Sequence, residues 1–448
     1  MAEGSAMTAE YTGESTNGGA LTVIRNGRIV DPSAHRDDVG DLWIQDGHIL
    51  DQGPAHSDKE DVVIDATNQI VLPGLIDMHV HLNEPGYEYR ETIKTGALAA
   101  AAGGCTAIAC MPDTNPALDH TETVHFVKAQ AKEAAVRIYP IGAITMGRRG
   151  EQLTEIGHLF NAGVVGISDA GHPIENPAVL RRALEYARMF DLPVLVHCED
   201  KQLSADGMMN EGRNSTRLGL KGIPTIAEET MVARDIKLAE WTGGRIHITH
   251  ISTADSVELI RAAKARGVRV TTEVTPHHLV LTDEMLAGYD TSLKINPPLR
   301  TAHDVEALRA GLSDGTIDVI ASDHTPRSID EKNTEYQEAL FGAIGLETML
   351  AVIMTELVNR EHVSLSAALL AMTATPAHIL GVEGGTLQPG KPADITILDP
   401  NRSWSVATNS FRSKSQNTPF GGYTLNGVVT HTIIGGKVLP WEENSKTT

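Results

Sequence analysis

The sequence predicts an α/β fold, a (β/α)8 TIM-type barrel with a small β-sandwich domain formed from both chain ends. Three observations support this prediction. Short apolar strand patterns alternate with helical patterns through the middle of the chain, which is typical of parallel βα units. Runs of β-type residues with turn signals occupy both ends. Aromatic residues make up only 4% of the chain against 41% hydrophobic residues, so aliphatic side chains must fill the interior.

The predicted sandwich begins in residues 21–72, where Asn26-Gly27 and Asp46-Gly47 are strong signals for two-residue hairpin turns. The same pattern returns in residues 386–440, where Asn426-Gly427 lies between β-branched runs. We therefore expect the two β-rich ends to pair into one domain. Residues 1–20 and 441–448 are polar, and they predict disordered tails.

Residues 73–385 contain the repeated strand, loop and helix pattern, and eight candidate strands favour a closed barrel over an open sheet. Helical patterns such as Thr92–Ala102, Pro177–Phe190 and Ile226–Trp241 separate the strands. The candidate strands are Leu75–Leu82, Thr106–Met111, Arg137–Ile144, Val164–Ser168, Pro193–His197, Arg245–Ile251, Arg269–Val274 and Asp318–Ala321.

Charge and cysteine content exclude several classes of function. The formal net charge is −21, which argues against a surface that binds nucleic acid or an anionic membrane. Three cysteines, Cys105, Cys110 and Cys198, have no paired spacing, so a disulfide framework is not expected. The N-terminus lacks the basic start and apolar centre of a signal peptide. Together these features predict a cytoplasmic protein with a small-molecule substrate.

Polar residues with metal-binding side chains lie where several predicted strands end. His79 and His81 are two residues apart on the first strand, so their side chains point to the same side. The fifth, sixth and eighth strands end near His197, His250 and Asp323. The carboxyl ends of parallel barrel strands meet at one rim, so we expect these side chains to converge there.

Four imidazoles and one carboxylate suit zinc or a similar first-row metal, whereas calcium and magnesium prefer oxygen ligands. A structural zinc usually has four protein ligands closed around it and does not spread them round a barrel mouth. A metal held at this rim would activate water and polarise a carbonyl, and an adjacent carboxylate would transfer the proton. The pattern therefore predicts hydrolytic chemistry.

Longer stretches around these residues carry a family resemblance. The run from Leu72 to Gly86 resembles the amidohydrolase superfamily, in its cyclic-amide branch of dihydroorotases, allantoinases and hydantoinases. Further motifs resemble bacterial zinc-dependent dihydroorotases of the barrel-plus-sandwich type. These motifs are Met111–Pro116, Val196–Asp200, Val274–Leu279, Ile295–Arg300, Ala321–Pro326 and Phe341–Thr348.

The resemblance implies a reversible ring closure of N-carbamoyl-L-aspartate to dihydroorotate in pyrimidine biosynthesis. It also implies that His79, His81 and Asp323 hold one metal, that His197 and His250 hold a second position, and that Asp323 is the catalytic proton shuttle.

The resemblance assigns substrate contacts as well. Asn296 would contact the pyrimidine ring, and backbone groups at Phe341 and Gly342 would line its other edge. From the residues alone, Asn296 also fits a turn before two prolines, and Phe341 and Gly342 fit an ordinary loop.

The sequence departs from the family pattern at the bridging ligand. The family usually has an acidic residue at the position of Ala170, and here only the neighbouring Asp169 is acidic. Adjacent strand residues point to opposite faces, so Asp169 replaces this ligand only if the strand has ended or bulged there. We therefore expect one or two Zn²⁺ per chain, with a single firmly held ion as the hypothesis.

Three further departures concern the substrate carboxylate. Asn83 stands where dihydroorotases have an arginine, Asp113 stands where they have an asparagine, and Arg327 stands where they have a histidine. A buried carboxylate needs a positive partner. We therefore predict that Arg327 supplies the missing cation and that Asp113 orients it, with a solvated loop arginine as the alternative.

Two other functions stay open at this stage. Asn83 resembles the corresponding residue of allantoinases, which favours a neutral cyclic ureide as substrate. Allantoinases and hydantoinases generally use a modified lysine on the fourth strand, and residues 164–171 contain no lysine. A non-catalytic or weakly active scaffold for aspartate transcarbamoylase is the second alternative. A homodimer or a complex with aspartate transcarbamoylase is the partner prediction.

Overall fold

The computed structural model describes residues 21–53 and 62–439. The tails predicted at 1–20 and 441–448 lie outside these residues. Within the described residues, no helix combines the length and the apolar character that crossing a membrane requires.

Eight parallel strands form the central sheet, and each strand pairs with its neighbours in chain order. Val80 and His324 form an isolated parallel bridge that brings the first strand against the end of the eighth, which confirms the predicted barrel. The strands, first to eighth, are Leu75–Val80, Cys105–Cys110, Arg137–Gly142, Gly166–Ser168, Val194–Val196, Ile246–Ile248, Val270–Val274 and Val319–Ile320.

Helices follow the strands and cover the outside of the barrel. Their α-helical segments are Ile93–Ala102, Thr121–Gln130, Ile156–Ala162, Pro177–Ala187, Lys201–Ser204, Arg213–Leu218, Ile226–Thr242, Ala254–Ala265, Pro276–Val280, Ala302–Ser313, Ile329–Lys332, Met349–Val352, Leu365–Met372 and Ala374–Leu380. A π-helical segment, Ile353–Val358, continues one of them. Two short strands, Met209–Asn210 and Gly222–Ile223, pair with each other in the connection after the fifth barrel strand.

Local sequence explains where these helices begin and end. Thr92 caps the first helix, because its hydroxyl accepts a hydrogen bond from the Thr95 N–H at 3.1 Å and the Thr95 hydroxyl accepts one from the Thr92 N–H. Such caps stabilise a helix by about 1 kcal/mol. The helix ends at Gly103, where an added Cβ would lie 2.0 Å from the Leu346 carbonyl oxygen. Only glycine permits this close approach of two backbones.

The chain ends form a second sheet of eight strands, which confirms the predicted β domain built from both ends. Its strands are Thr22–Asp31, Arg36–Gln45, His48–Ile49, Val62–Asp65, Ile70–Pro73, Ile395–Ser405, Thr424–Ile434 and Lys437–Leu439. The key contact between the two ends is the antiparallel pairing of Ile70–Pro73 with Ile395–Leu398. Whether domain boundaries fall at 72/73 and 385/386 stays a prediction.

Polar contacts join the β domain to the barrel. The Arg137 guanidinium donates two hydrogen bonds of 3.0 Å to the Asp394 carboxylate. The Thr396 hydroxyl donates to the Gly104 carbonyl, and the Thr432 hydroxyl donates to the Ala101 carbonyl. These bonds fix the β domain against the end of the barrel where the strands begin, which leaves the opposite rim free for a site.

A cavity of about 200 Å³ lies between the barrel and the β domain, and Glu347, Trp404 and Phe411 are among its lining residues. The Glu347 carboxylate accepts hydrogen bonds from the backbone N–H groups of Arg412 and Ser413. Burial outweighs these bonds and raises the pKa of Glu347 to about 7. The folded protein therefore keeps a proton on Glu347 at pH values where an unfolded chain has released it.

This protonation predicts a pH-dependent stability. Between pH 4.5 and 7 the native state binds more protons than the unfolded state, so the free energy of unfolding falls as pH rises. Glu347→Gln should remove this term, which amounts to about 3 kcal/mol at its largest. Urea unfolding of both proteins at about pH 5 and 7 checks this, with exposed Glu338→Gln as the control. Parallel pH profiles for the Glu347→Gln variant and the unmodified protein would contradict the assignment.

Candidate functional site

The rim of the barrel at the carboxyl ends of the strands is held by the seam between the first and eighth strands. The Asp77 carboxylate accepts hydrogen bonds of 3.1 Å from the His79 N–H and 3.2 Å from the Ser322 N–H. The His81 N–H donates to the His324 carbonyl at 2.9 Å. These bonds join the segment that carries His79 and His81 to the segment that carries Asp323.

Backbone strain marks the same rim. Four non-glycine residues at strand ends have positive φ angles, Asn83 at 59°, Ala170 at 49°, His250 at 34° and Asp323 at 48°. Such conformations cost about 1–3 kcal/mol each and cluster at functional sites. At each of these positions the chain leaves the strand sharply, which aims side chains across the mouth.

The structure brings together three of the predicted metal ligands. One ligand atom from each of His79, His81 and Asp323 lies within 4.8 Å of the other two, and all three residues are buried. The Nε2 atoms of both histidines lie 3.5 Å from Asp323 Oδ1. We call His79, His81 and Asp323 the ligand triad. Its size and donor set suit one transition-metal ion.

Carboxylates orient the two histidines of the ligand triad. Glu273, on the seventh strand, binds His79 Nδ1 with one carboxylate oxygen and lies 3.1 Å from His247 Nε2 with the other. Asp113 Oδ2 lies 2.7 Å from His81 Nδ1. A carboxylate on Nδ1 fixes the imidazole so that Nε2 faces the metal, an arrangement common in metalloproteins.

His250 lies beside the ligand triad. Its ring centroid is 5.3 Å from that of His79, and its Nδ1 is buried without a hydrogen-bond partner among the described residues. Burial, reinforced by His197, lowers the pKa of His250 to about 3, so the imidazole is neutral. A neutral, unpaired, buried imidazole nitrogen suits a metal ligand.

His197 is less available than His250. Its Nδ1 lies 3.1 Å from His250 Nε2, and its Nε2 lies 2.9 Å from Glu199 Oε2. The predicted second metal position, His197 with His250, is therefore less preorganised than the ligand triad.

The electrostatics of the ligand triad favour a positive charge. Burial lowers the pKa of His81, but Asp113 and Asp323 outweigh it and raise this pKa to about 9. Burial raises the pKa of Asp323, but the imidazoles of His79 and His81 outweigh it and hold this pKa below its usual range. A site that stabilises a proton on a buried histidine also stabilises a metal cation. The residues present therefore fit a divalent metal.

Asp169 and Ala170 lie where the resemblance expects a further ligand. The fourth strand ends at Ser168, and Ala170 is buried among aliphatic residues inside the barrel. One Asp169 oxygen accepts hydrogen bonds from the N–H groups of Ile144 and Thr145, at 2.9 and 3.0 Å. The other accepts one from the Thr145 hydroxyl. The structure thus places the Asp169 carboxylate on the loop after the third strand and not in the ligand triad.

Asn296 lies beside the histidines of the predicted second position. Its Nδ2 donates to Glu199 Oε2 at 3.0 Å, the oxygen that also contacts His197 and the Lys201 ammonium. Glu199 therefore ties a predicted substrate contact to a predicted metal ligand. Burial raises the pKa of Glu199, but His197 and Lys201 outweigh it and hold the pKa well below the usual range of a glutamate.

Arg327 is half-buried close to the mouth. Its Nε donates to the Phe341 carbonyl at 2.7 Å, and its N–H donates to Asn417 Oδ1 at 3.2 Å. Asp113 pairs with His81, and within the described residues no ion pair of 4.0 Å or less joins it to Arg327. Phe341 therefore orients Arg327, where Asp113 was expected to do so.

The remaining predicted substrate contacts have partners within the protein. The Gly342 N–H donates to the Lys294 carbonyl at 3.0 Å, and its carbonyl accepts from Asn417 Nδ2. Asn83 is buried, and its Nδ2 lies 3.5 Å from the His81 carbonyl. These contacts place both residues at the rim beside the ligand triad and the Arg327 loop.

Sequence reasoning missed two residues of this site, Glu273 and Glu199. The sequence contained a signal for Glu273, because a glutamate among the threonines and valines of a barrel strand is expected to be buried and to need a partner. Glu199 follows His197 by two residues, so its proximity to His197 could also have been predicted.

Comparisons with known proteins identify the family of this chain. The family model described as dihydro-orotase-like matches residues 68–256. The dihydroorotase of Pelotomaculum thermopropionicum is 55% identical over 417 residues, 93% of this chain and 98% of that relative. The dihydroorotase of Syntrophotalea carbinolica is 49% identical over the same shares.

Solved structures share the fold. The L-hydantoinase of Arthrobacter aurescens matches with a TM-score of 0.84 and 27% identity, covering 93% of this chain and 95% of that one. A D-hydantoinase matches with a TM-score of 0.81 and 26% identity, covering 94% and 95%. The predicted resemblance to metal-dependent amidohydrolases is confirmed.

The role of Glu273 predicts a loss of metal affinity on substitution. Glu273→Gln removes the negative charge behind His79, and metal affinity should fall about 10- to 100-fold. Competition with a chromophoric chelator measures this. Glu228→Gln is the matched control, because Glu228 is an equally buried carboxylate that contacts Ser252 and Thr253 and no metal ligand. Equal affinities for the two variants would show that Glu273 does not tune the metal.

The position of Asp169 predicts a variant that keeps its metal. Asp169→Asn should leave the metal content per chain unchanged, because both carboxylate oxygens bind the Ile144–Thr145 backbone and hydroxyl. Asp323→Asn, which removes a member of the ligand triad, should lose the metal. Elemental analysis after dialysis distinguishes the two. A matching loss in Asp169→Asn would restore Asp169 as a ligand.

Proposed function

Because the chain belongs to the dihydroorotase family, we propose that its barrel mouth interconverts N-carbamoyl-L-aspartate and dihydroorotate. The chain is a dihydroorotase, a hydrolase that acts on a cyclic amide C–N bond. The observation that carries the choice of site is the ligand triad, which lies at the rim of the barrel where such enzymes place their chemistry.

Zinc is the ion we propose for the ligand triad, with His250 as a further ligand. When bound, such an ion polarises the substrate carbonyl and makes water a stronger nucleophile near neutral pH. Glu273 and Asp113 hold the two histidines of the triad from behind. One firmly held ion fits the chain better than two, because Ala170 offers no bridging oxygen and His197 is engaged with Glu199.

Asp323 is the residue we propose for proton transfer. In ring opening its carboxylate accepts a proton from the attacking water and returns it to the departing amide nitrogen. In ring closure the same group moves the proton in the opposite sense. Thr325 donates a hydrogen bond of 3.2 Å to Asp323 Oδ1, which holds the carboxylate toward the histidines. The low pKa of Asp323 keeps it ionised before the transfer.

Asn296 and Arg327 are the residues we propose to hold the substrate. The Asn296 amide, positioned by Glu199, would bind a polar edge of the ring. Arg327 would bind the substrate carboxylate, since a guanidinium recognises a carboxylate with charged hydrogen bonds. Backbone groups of Phe341 and Gly342 would close the ring pocket, and Asn83 would line it on the first-strand side.

Hydantoinase-like activity is the second candidate function. Its support is the structural likeness to hydantoinases, at 26–27% identity. The dihydroorotases are roughly twice as similar in sequence. The fourth strand and the two residues after it, Asp169 and Ala170, contain no lysine. Dihydroorotase activity is therefore preferred.

We also propose that the enzyme works in the cytoplasm. Association with a second copy or with aspartate transcarbamoylase stays a prediction.

A substrate panel tests the proposed function. Zinc-loaded protein is incubated separately with dihydroorotate, allantoin and hydantoin, and ring opening is measured as the loss of ring absorbance. Only the dihydroorotate ring should open. Faster turnover of hydantoin or allantoin than of dihydroorotate would contradict the proposal.

Asp323→Asn is the control for contaminating enzymes. This substitution removes both the proton-transferring group and a member of the ligand triad, so kcat should fall by at least about 10²-fold, the lower end of what general acid–base catalysis contributes by itself. Turnover that is equal in this variant and in the unmodified protein would not come from this site.

A further inference from the structure

A basic turn lies at the carboxyl-end rim of the barrel, after the third strand. Residues 145–150 follow the third barrel strand, and they include two consecutive arginines, Arg148 and Arg149. Arg149 is exposed, whereas Arg148 is half-buried. The Arg148 Nη1 donates to the Asp169 carbonyl at 3.3 Å, which places its guanidinium against the end of the fourth strand. The two neighbouring arginines therefore differ, because Arg148 packs against the end of the fourth strand and Arg149 is exposed to solvent.

Asp169 and Asp119 hold this turn in place. The Asp169 carboxylate binds the Ile144 and Thr145 backbone and the Thr145 hydroxyl, as described above. The same hydroxyl accepts a hydrogen bond of 2.9 Å from the Gly150 N–H, and Asp119 Oδ2 accepts one of 2.7 Å from the Gly147 N–H. The turn is therefore pinned at its start, middle and end. Its Arg148 has a positive φ of 55°, a conformation that non-glycine residues adopt at a cost.

Asp113 is a carboxylate on which both guanidiniums act. It lies in the loop after the second strand, and its Oδ2 lies 2.7 Å from His81 Nδ1. The positive charges of Arg148 and Arg327 both stabilise this carboxylate. Asp113 is already in contact with His81, so it does not serve as the ion-pair partner of either arginine.

The two guanidiniums leave room for an anion. Within the described residues neither Arg148 nor Arg327 has an ion pair of 4.0 Å or less, and each guanidinium donates to a backbone carbonyl instead. Arg90 lies near Arg327 but is paired with Glu331 at 2.9 Å, and Lys201 is paired with Glu199. Dihydroorotate carries a carboxylate on its ring, which could serve as the partner of these two guanidiniums.

We propose that Arg148 is a specificity-determining residue that binds the substrate carboxylate together with Arg327. The Asp169 carboxylate acts as a positioning residue, because it fixes the turn that carries Arg148. This inference rests on the proposed function and names the group that would recognise the acid in place of the arginine missing at Asn83. A substrate without a carboxylate would gain nothing from Arg148.

Steady-state kinetics of three variants test the proposal with zinc-loaded protein. Arg148→Gln should raise KM for dihydroorotate about 10- to 100-fold with kcat changed by less than about threefold, as expected for a lost charged hydrogen bond. Arg148→Lys keeps the charge and should recover part of this loss. Arg149→Gln, the matched control, should match the unmodified protein. Arg327→Gln should show the same KM effect as Arg148→Gln.

A KM for Arg148→Gln within about twofold of the unmodified enzyme would overturn the role of Arg148, as would an equal change in Arg149→Gln. A fall in kcat with unchanged KM would overturn it too, because it would indicate damage to the turn. 5,6-Dihydrouracil has the ring without the carboxylate. Its inhibition constant should be the same for the unmodified enzyme and for both Arg148 variants. Failure of the unmodified enzyme to turn over dihydroorotate would instead overturn the proposed function, and this inference with it.

Discussion

The seam between the first and eighth barrel strands is the contact on which the site depends. Asp77 receives N–H groups from both strands, and the Val80–His324 bridge continues the pairing toward the rim. His79 and His81 are presented by one side of the seam and Asp323 by the other. A barrel that opened here would separate these ligands, so closure of the fold and assembly of the ligand triad are one event.

Negative charge behind the histidines gives the ligand triad its preference for a cation. Glu273 and Asp113 each contact an Nδ1 atom, which leaves both Nε2 atoms directed at Asp323. The charges of Arg148 and Arg327 also act on Asp113, so this carboxylate connects the ligand triad electrostatically with both arginines.

Much of the fold and part of the site were readable from the sequence. The eight strands, the pairing of the chain ends and the ligands His79, His81 and Asp323 follow from patterns within short segments and from one rule, that parallel strands present their carboxyl ends together. The contact between Glu273 and His79 could not be predicted from the sequence, because the two residues are 194 positions apart in the chain. Only the closed barrel brings their two strands to one interior.

Asp169 shows a different limit. The fourth strand ends at Ser168, before Asp169, which is the condition under which Asp169 could have been a metal ligand. Ala170 then turns the chain with a φ of 49°. The carboxylate nevertheless binds the neighbouring loop, because the N–H groups of Ile144 and Thr145 need acceptors in a buried place. A metal ion and backbone N–H groups can both bind a carboxylate such as that of Asp169. Which of them lies within reach depends on how the loops pack, and the sequence does not show this. The basic turn that Asp169 holds suggested no function until the structure showed its position against the end of the fourth strand.

The number of zinc ions needed for activity tests the central claim most directly. Metal-free protein would be titrated with zinc while both bound metal and turnover of dihydroorotate are followed. The ligand triad with His250 predicts that turnover reaches its maximum at one equivalent per chain. Activity that stays low at one equivalent and rises only toward two would contradict this account. It would require a second ion held by His197, although Ala170 provides no carboxylate to bridge two ions.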